Sequence, residues 1–257
     1  AEDAEVLLRD LRRMAHKKRD EISEAGGIDC IVNAMMRFED HSGVQEKGCR
    51  AALTLLCNNH TQNKTAFADA GGIDCIVQAM QRHEEDAYVQ EHACEAVLSL
   101  MSGSKEIVKA FVEAGGIQCV VNALRYHIEH TGVQEQGCVA AWNVLCYERK
   151  HKTAFAVAGG VKCLATAMMH HPNNEKIQEQ ACGACWNLFS SIDDHYRVEF
   201  AEAGGIACIV NAMKLHKGNA RIQEFACGAA VRLMHRSDEN VASFARAGGI
   251  PAVTATL

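Results

Sequence analysis

The sequence repeats itself every 44 or 45 residues along almost its whole length. A tripeptide that reads Val-Gln-Glu or Ile-Gln-Glu occurs five times, at steps of 45, 44, 44 and 45 residues. Its copies begin at Val44, Val89, Val133, Ile177 and Ile222. Periods of this length are typical of solenoids, whose units bury their apolar faces by stacking on their neighbours. The period therefore predicts one array of repeats in place of separate globular domains.

A Gly-Gly pair, preceded by Ala and followed by Ile or Val, keeps the same period. Its six copies are Gly26-Gly27, Gly71-Gly72, Gly115-Gly116, Gly159-Gly160, Gly204-Gly205 and Gly248-Gly249. Glycine accepts the left-handed backbone conformation that ends helices, so each pair predicts a turn after a short first helix. Apolar residues at i, i+3, i+4 and i+7 then predict a second helix. An example is the set Ile73, Ile76, Val77 and Met80.

The third helix of each repeat is predicted to start at the Gln-Glu pair and to be the longest. In one copy, the residues that we expect to be buried are Val133, Gly137, Cys138, Ala141, Val144 and Leu145. A polar loop precedes this helix, and the expected N-caps are Ser42, Asp86, Thr131, Asn174 and Asn219. Histidine ends the second helix in four repeats, where it favours the negative end of the helix dipole and can satisfy free carbonyls. These residues are His83, His127, His171 and His216.

Together the markers divide the chain into five complete repeats and two partial ones. The complete repeats are 17–59, 60–103, 104–147, 148–192 and 193–236, and the partial ones are 1–16 and 237–257. Neither end carries the polar capping helix that solenoids use for solubility. We therefore expect the chain to be a piece of a longer protein. Its exposed repeat ends could also drive self-association.

Composition and charge narrow the class of function. The net charge of −6 argues against nucleic acid as a ligand, because proteins that bind it are usually basic. No apolar run approaches the roughly 20 residues of a membrane span, and we expect no signal peptide. Of the 13 cysteines, five occupy one repeat position and five occupy another. Such small buried thiols fit a reducing compartment, so we expect a cytoplasmic protein, or a nuclear one.

Sequence motifs for catalysis, metal binding and redox chemistry are weak. Cys182 and Cys185 form a C-x-x-C pattern, but a redox motif needs its first cysteine at an exposed helix start. Cys182 instead occupies a repeated core position, so we expect packing. His127 and His130 could share a metal, yet no nearby residues complete a set of four ligands. With no phosphate loop or nucleophile elbow either, we expect no catalytic residue, no metal and no cofactor.

These features resemble the armadillo repeat. The matching text within a repeat is Asn-Lys, Phe, Ala-Gly-Gly-Ile, Val-Gln-Glu and Trp-Asn, and Pro251 stands at the start of a second helix, as in that family. The resemblance covers the whole chain. It implies an all-α fold, a right-handed superhelical solenoid of about five complete armadillo repeats. The chain looks more like the armadillo regions of large multidomain signalling proteins than like nuclear-import receptors.

The resemblance also implies where a partner would bind. In armadillo proteins the third helices line a concave groove, and an asparagine near the end of each bonds the backbone of an extended peptide. Carried over by position, this row is Asp10, Thr54, Ser99, Asn143, Asn187 and Arg232. One turn earlier lie Arg50, Glu95, Val139, Gly183 and Gly228. A further turn back lie Lys47, His92, Gln136, Gln180 and Phe225.

Only Asn143 and Asn187 keep the family's residue in the asparagine row. Each could bind a peptide or make a hydrogen bond within its own repeat. Import receptors place tryptophan one turn before the asparagine, where this chain has valine and glycine, so we expect no recognition of basic localisation signals. Trp142 and Trp186 directly precede the asparagines, and we expect them to pack between repeats. The small residues one turn earlier predict a groove open to a helix or an extended segment.

The function expected from these observations is that of a non-enzymatic scaffold or adaptor that binds a protein or peptide in the groove. The alternative is a structural spacer or regulatory arm of a larger multidomain signalling protein, which would dock through other surfaces. A third reading, metal or redox sensing by the Cys and His residues, would require reactive and accessible thiols.

Overall fold

The chain folds into helices joined by short turns. The structure, a computed structural model, describes residues 1–57 and 61–254, without the side chains of residues 16 and 17. Over these residues it contains 17 helices and no strand, which confirms the predicted all-α class. It divides into two compact units, Ala1–Tyr126 and His127–Leu257. The boundary predicted between residues 59 and 60 and the end of partial repeat 237–257 lie outside the described residues.

The first unit alternates short, intermediate and long helices. They are α1 (Glu2–Glu24), α2 (Gly27–Arg37), α3 (Ser42–Leu56), α4 (Thr61–Asp69), α5 (Gly72–Arg82), α6 (Ala87–Met101), α7 (Lys105–Glu113) and α8 (Gly116–Tyr126). The long helix α3 packs against both α1 and α6. Within α1, Lys18 has non-helical angles (φ −139°, ψ 47°). The break expected after residue 16 is therefore a kink inside one helix.

The second unit continues the same alternation. It contains α9 (Thr131–Leu145), α10 (Arg149–Val157), α11 (Gly160–His170), α12 (Glu175–Leu188), α13 (Asp194–Glu202), α14 (Gly205–Leu215), α15 (Ala220–Met234), α16 (Asp238–Arg246) and α17 (Gly249–Thr254). Here α12 packs against α9 on one side and α15 on the other. The long third helices of each unit therefore lie side by side in a row, and each repeat contributes the side chains of one such helix to that row.

The two glycines of each Gly-Gly pair have different structural roles. The first glycine is left-handed, as at Gly71 with a φ of 84°, which confirms the predicted turn. The second glycine opens the next helix, and a Cβ atom placed on Gly72 would overlap the ring of Phe67. The pair thus ends the first helix and allows a large apolar side chain of that helix to pack closely against the start of the second. This side chain is phenylalanine in five copies and Ile22 at Gly27.

The glutamine of the Val-Gln-Glu marker joins the second and third helices of a repeat. Gln90 is buried, and its Nε2 donates to the carbonyls of Met80 (2.9 Å) and His83 (2.8 Å). The glutamines that make the same pair of bonds are Gln45, Gln178 and Gln223. Carbonyls at a helix end have no partner within their own helix, so these bonds satisfy groups that burial would otherwise penalise.

The histidines at the ends of the second helices act between consecutive repeats. The Nε2 atom of His83 lies 2.8 Å from the carbonyl oxygen of Glu39, one repeat earlier. In the second unit, His216 makes the equivalent contact with the carbonyl of Pro172 (2.8 Å), and His171 makes another. The prediction that these side chains satisfy free carbonyls is confirmed for His83, His171 and His216, and the carbonyl belongs to the preceding repeat.

The N-caps of the third helices are partly as predicted. Side chains that cap as expected are Asp86, Asn174 and Asn219. The prediction is wrong by one residue at the other two, because those helices begin at Ser42 and Thr131. Their N-caps are His41 and His130, and Nδ1 of His130 accepts from the backbone N–H of Val133 (3.3 Å). The cap lies three residues before the Val or Ile of the marker, where these two repeats have histidine.

The core consists of the small and aliphatic side chains expected from the pattern. All six residues predicted to be buried in α9 are buried, and so are the four named in α5. Cys182 and Cys185 have no exposed surface, and burial raises the pKa of each thiol well above its ordinary value. Burial likewise raises the pKa of Cys138 to about 12. The C-x-x-C pattern is therefore part of the core.

Candidate functional site

The residues assigned to a groove by resemblance lie on the third helices. We call the side of α1, α3 and α6 that carries them the first-unit face, and the corresponding side of α9, α12 and α15 the second-unit face. On the first-unit face these residues are Asp10, Lys47, Arg50, Thr54, His92, Glu95 and Ser99. On the second-unit face they are Gln136, Val139, Asn143, Gln180, Gly183, Asn187, Phe225, Gly228 and Arg232.

Charged side chains on the first-unit face neutralise one another. Lys47 Nζ donates to Glu5 Oε2 at 2.5 Å, and this hydrogen bond holds the pKa of Glu5 below its ordinary value against the opposing effect of burial. Arg50 Nη1 donates to Glu46 Oε1 at 2.9 Å. His92 lies between two carboxylates, with Nε2 3.9 Å from Glu46 and Nδ1 3.6 Å from Glu95. Most charges on this face already have a partner of opposite sign.

Hydrogen bonds within the first unit also occupy the polar groups at the end of α3. Thr54 Oγ1 donates to the carbonyl of Arg50 (3.0 Å), while the carbonyl of Thr54 accepts from Arg19 Nε (2.8 Å). The same guanidinium donates to Cys57 Sγ (2.9 Å). Thr54 is buried as a result, so it offers no hydroxyl to a ligand.

An aromatic cluster occupies the second-unit face. The ring of Phe225 lies 5.5 Å from that of Trp142 and 5.8 Å from that of Trp186, with interplanar angles of 53° and 44°. Tilted contacts at these distances are favourable geometries for aromatic pairs. Both tryptophans are partly exposed, whereas Phe225 is buried beneath them. The prediction that the tryptophans pack between repeats is confirmed, although their exposed edges remain open to solvent.

Two glycines make room for these rings. A Cβ atom on Gly228 would lie 2.8 Å from the ring of Trp186, and one on Gly183 would lie 3.3 Å from Nε1 of Trp142. Each tryptophan thus covers the glycine of the following repeat. The prediction of a groove lined by small residues is wrong in this respect, because the tryptophan rings fill the space that the glycines leave.

Arg221 supports the cluster from its edge. The guanidinium carbon lies 5.4 Å from the ring centroid of Phe225 and 5.9 Å from that of Trp142, within the range of cation–π attraction. Its Nε is 3.2 Å from Glu179 Oε1. This arginine is therefore occupied by partners within the chain.

The two asparagines each use one side-chain nitrogen within the chain. Asn143 Nδ2 donates to the carbonyl of Val139 (2.9 Å), and Asn187 Nδ2 donates to Cys146 Sγ (3.1 Å). Both side chains are partly exposed. Since the donor is the amide nitrogen in both bonds, neither bond uses the amide oxygen. Each asparagine can still accept a hydrogen bond from a peptide N–H.

Burial separates the predicted groove residues into two sets. Besides Thr54, the buried ones are Val139, Gln180, Gly183 and Phe225. These residues face packed neighbours, so their assignment to a ligand surface is corrected. The partly exposed ones are Asp10, Lys47, Arg50, His92, Glu95, Ser99, Gln136, Asn143, Asn187, Gly228 and Arg232.

A cavity of about 560 Å³ lies next to Arg232 on the second unit. Besides Arg232, its wall includes Trp186, Phe189, Ser190, Arg197 and His235. Sequence reasoning did not find Arg197, Ser190 or His235. Arg197 belongs to the short helix α13, which carries no groove position in the repeat pattern, so only the folded structure places it beside α12 and α15.

Neither a metal cluster nor a membrane span is found in the described ranges. There, no three or more His, Cys, Asp or Glu side chains are grouped so that they could hold a metal ion. Over the same residues, no single helix is long and apolar enough to cross a bilayer. The bent pair Lys105–Glu113 and Gly116–Tyr126 meets that criterion by length and composition when taken together.

The chain is similar to solved structures, whereas no protein-family profile and no curated protein matches it. An engineered protein matches with a TM-score of 0.77 and 25% identity, over 96% of this chain and 58% of that one. A designed armadillo repeat protein in complex with the peptide (KR)4 matches with a TM-score of 0.69 and 19% identity, over 88% of this chain and 91% of that one.

A third structure concerns a phosphorylation switch that controls the interaction between cadherin and beta-catenin. It matches with a TM-score of 0.80 and 16% identity, over 97% of this chain and 47% of that one. This chain therefore spans about half the length of that protein. At such identities the likeness is one of fold.

Proposed function

We propose, from the armadillo-repeat fold of the chain, that it is a non-enzymatic scaffold that binds an extended peptide or a protein surface along the second-unit face. The observation that carries this proposal is the pair of partly exposed tryptophan rings beside Asn143 and Asn187. Binding energy concentrates on large aromatic side chains that are already held rigid. Phe225 and the two covered glycines hold these rings before any ligand arrives.

Backbone recognition is the second element of the proposal. The amide oxygens of Asn143 and Asn187 are not used by their internal bonds and can accept from the N–H groups of an extended chain. Such bonds position a ligand without reading its side chains. Specificity would then come from the neighbouring groups that differ between repeats, such as Gln136 and Arg232.

The structural neighbours support this class of ligand. One is a designed armadillo repeat protein bound to a peptide, and another concerns the interaction of beta-catenin with cadherin. A protein or peptide partner is therefore the natural proposal for a chain with the same fold. All 13 cysteines are free thiols, which supports our proposal of a cytoplasmic or nuclear location.

The second candidate function is a structural spacer or regulatory arm of a larger multidomain signalling protein. It is favoured by the first-unit face, where Lys47, Arg50 and His92 already lie beside carboxylates of the same unit. A face whose charges are mutually paired offers little to a charged ligand. This pairing favours a structural role for the first unit.

The test is a capture experiment from a cell extract with the immobilised chain, read by quantitative mass spectrometry. The informative variant is Asn143→Ala/Asn187→Ala. Its matched control is Asn173→Ala/Asn211→Ala, which removes two exposed amides that lie away from the second-unit face. Circular dichroism melting must give the same transition for all three proteins.

The scaffold proposal expects proteins that the parent and the control capture and the Asn143→Ala/Asn187→Ala variant does not. Capture of the same proteins by all three would contradict it and favour the spacer. Loss with the control as well would also contradict it, because the effect would then not depend on the second-unit face.

A further inference from the structure

The cavity beside Arg232 has a strongly basic wall. We call it the arginine cavity and define it by Trp186, Phe189, Ser190, Arg197, Arg232 and His235. No carboxylate of the described residues is among its lining side chains. The chain as a whole carries a net charge of −6, so a wall of this kind departs from the average surface. Its position at the end of α12 and α15 places it next to Asn187.

Each of the two arginines has a side-chain N–H group without a hydrogen-bond acceptor among the described residues. Arg197 is 12% exposed, pairs with Asp194 through Nη1 and donates from Nη2 to the carbonyl of Phe189 (3.2 Å). Its Nε is nevertheless buried without an acceptor among the described residues. The Nε of Arg232 is buried without an acceptor in the same part of the chain. A buried guanidinium N–H without a partner carries a desolvation cost that an anion nearby would reduce.

A buried lysine adds a third positive charge behind the wall. Lys152 is 7% exposed, and its Nζ donates to Ser190 Oγ at 2.6 Å. Ser190 Oγ in turn donates its proton to the carbonyl of Asn187 (2.6 Å), so this hydroxyl has no proton left to donate to a ligand. Burial first, and the charge of Arg232 second, lower the pKa of Lys152. The cations therefore repel one another across the wall of the cavity.

A negative charge at the cavity would relieve this repulsion. Lys152, Arg197 and Arg232 are three cations. In the part of the chain that the structure describes, Arg197 pairs with the carboxylate of Asp194, which is 78% exposed. In contrast, Arg221 on the same unit is paired with Glu179 and stacked on aromatic rings. The site therefore has an excess of positive charge, in a recess where solvent screens it less than on an open surface.

We propose that the arginine cavity binds a negatively charged side chain, carrying a carboxylate or a phosphate group, of a peptide that lies along the second-unit face. The planar guanidinium fork fits the paired oxygens of either group and forms charge-assisted hydrogen bonds with them. Trp186 and Phe189 supply an apolar wall for the stem of that side chain. This inference rests on the proposed function and names the chemistry of its ligand.

The test uses three fluorescein-labelled ten-residue peptides and the full chain. The first is (Ser-Glu)5 and the second is the neutral (Ser-Gln)5. The third is (Ser-Gln)5 with the third and fourth of its serines phosphorylated. Fluorescence anisotropy measures binding up to 1 mM protein at low and moderate salt. The variants are Arg232→Gln and Arg197→Gln, and the matched control is Arg246→Gln, an exposed arginine on α16 that contacts Ser243.

The expected result is that at least one anionic peptide binds about tenfold more tightly than (Ser-Gln)5, with the difference reduced by salt. Either Arg232→Gln or Arg197→Gln should lower that affinity by about tenfold, and Arg246→Gln should leave it unchanged. Preference for (Ser-Glu)5 would identify a carboxylate ligand, and preference for the phosphorylated peptide would identify a phosphate ligand. Melting curves verify that each variant is folded, and two separate arginine variants guard against the failure of one.

The proposal is overturned if the neutral peptide binds as tightly as both anionic ones, or if none binds. It is also overturned if both arginine variants keep full affinity for the anionic peptides. These outcomes are distinct from failure of the scaffold function. Loss of peptide binding with intact asparagine-dependent capture would remove the anion site and keep the scaffold. Arginine-dependent peptide binding without asparagine-dependent capture would keep the site and remove the scaffold.

Discussion

The third-helix faces of the two units use their side chains in different ways. On the first, Lys47 bonds Glu5 on the neighbouring helix and Arg50 bonds Glu46 on its own helix, so these charged groups already have partners within the unit. On the second, the position that holds His92 in the first unit holds Phe225, which supports two tryptophan rings. The same backbone repeat therefore carries a face closed by ion pairs in one unit and a rigid, partly exposed aromatic face in the other.

The difference shows how a repeat protein can localise function without changing its fold. Residues that hold the repeat together, such as Gln90 and Gly72, recur in equivalent positions of both units. Residues on the third-helix faces do not contribute to that shared framework and can vary from repeat to repeat. Variation there changes what the surface can bind, while the bonds between the second and third helices of a repeat stay the same in both units.

The largest expected effect comes from removing the central ring of the second-unit face. Phe225→Ala should destabilise the chain by about 3 kcal/mol, since it deletes a buried phenyl group and leaves a cavity under two tryptophans. His92→Ala, at the matching position of the first unit, should cost about 1 kcal/mol or less because it removes only long contacts between the imidazole ring and two carboxylates. Urea unfolding followed by circular dichroism measures both. Equal losses in the free energy of unfolding would show that Phe225 and His92 contribute equally to stability, and would contradict the difference between the two faces.

An intermediate effect is expected at the glycines beneath the tryptophans. Gly228→Ala should cost about 2 kcal/mol and shift tryptophan fluorescence to the red, because the added methyl group would lie 2.8 Å from the ring of Trp186. Gly183→Ala should have a smaller effect, since its closest contacts are 3.2 Å and longer. Gly218→Ala is the control, as its methyl group would meet nothing within 4 Å. An unchanged spectrum for Gly228→Ala would mean that Trp186 does not rest on this glycine.

The smallest effect concerns the ion pair of Glu5 and Lys47 on the first-unit face. Glu5→Gln should cost about 0.5 kcal/mol at neutral pH, as is usual for a partly exposed pair. The hydrogen bond from Lys47 makes the pKa of Glu5 lower in the folded chain than its ordinary value of 4.5. The unfolded chain therefore takes up a proton first as the pH falls, and the stabilising effect is lost below pH 4.5, as the pH passes through the folded-state pKa.

That pH dependence has its own control. The stability difference between the parent and Glu5→Gln should shrink as the pH is lowered from 7 to well below 4.5, in urea titrations at each pH. Glu2→Gln removes an exposed carboxylate from the same helix and should show a much smaller difference across this range. A constant difference for Glu5→Gln across this range would argue against the ion pair as its source.

Most of the framework could be predicted from the sequence, because it depends on residues that recur at a fixed period. The apolar spacing of Ile73 and Met80 identified the buried side of a helix, and the left-handed turn at Gly71 followed from the properties of glycine. The packing role of Trp142 and Trp186 was also predictable, because large aromatic side chains commonly pack in cores, and both rings lie against glycines of the following repeat.

The details that were missed depend on contacts between separate segments. Ser42 and Thr131 were chosen as caps by residue type, whereas the repeat register places His41 and His130 there. The bridging role of Gln90 was not expected, although its recurrence was a usable signal. Burial of Val139 and Gln180 could not be inferred, because it depends on how closely the neighbouring third helices approach each other.

The most direct test of the functional asymmetry is hydroxyl-radical footprinting of the chain with a partner recovered in the capture experiment. The account predicts strong protection of Trp142 and Trp186 on binding. It predicts unchanged oxidation of Met14 and Tyr88, which are 49% and 63% exposed on the long helices of the first unit. Protection of Met14 and Tyr88 with unchanged tryptophans would contradict the account and move the binding surface to the first unit.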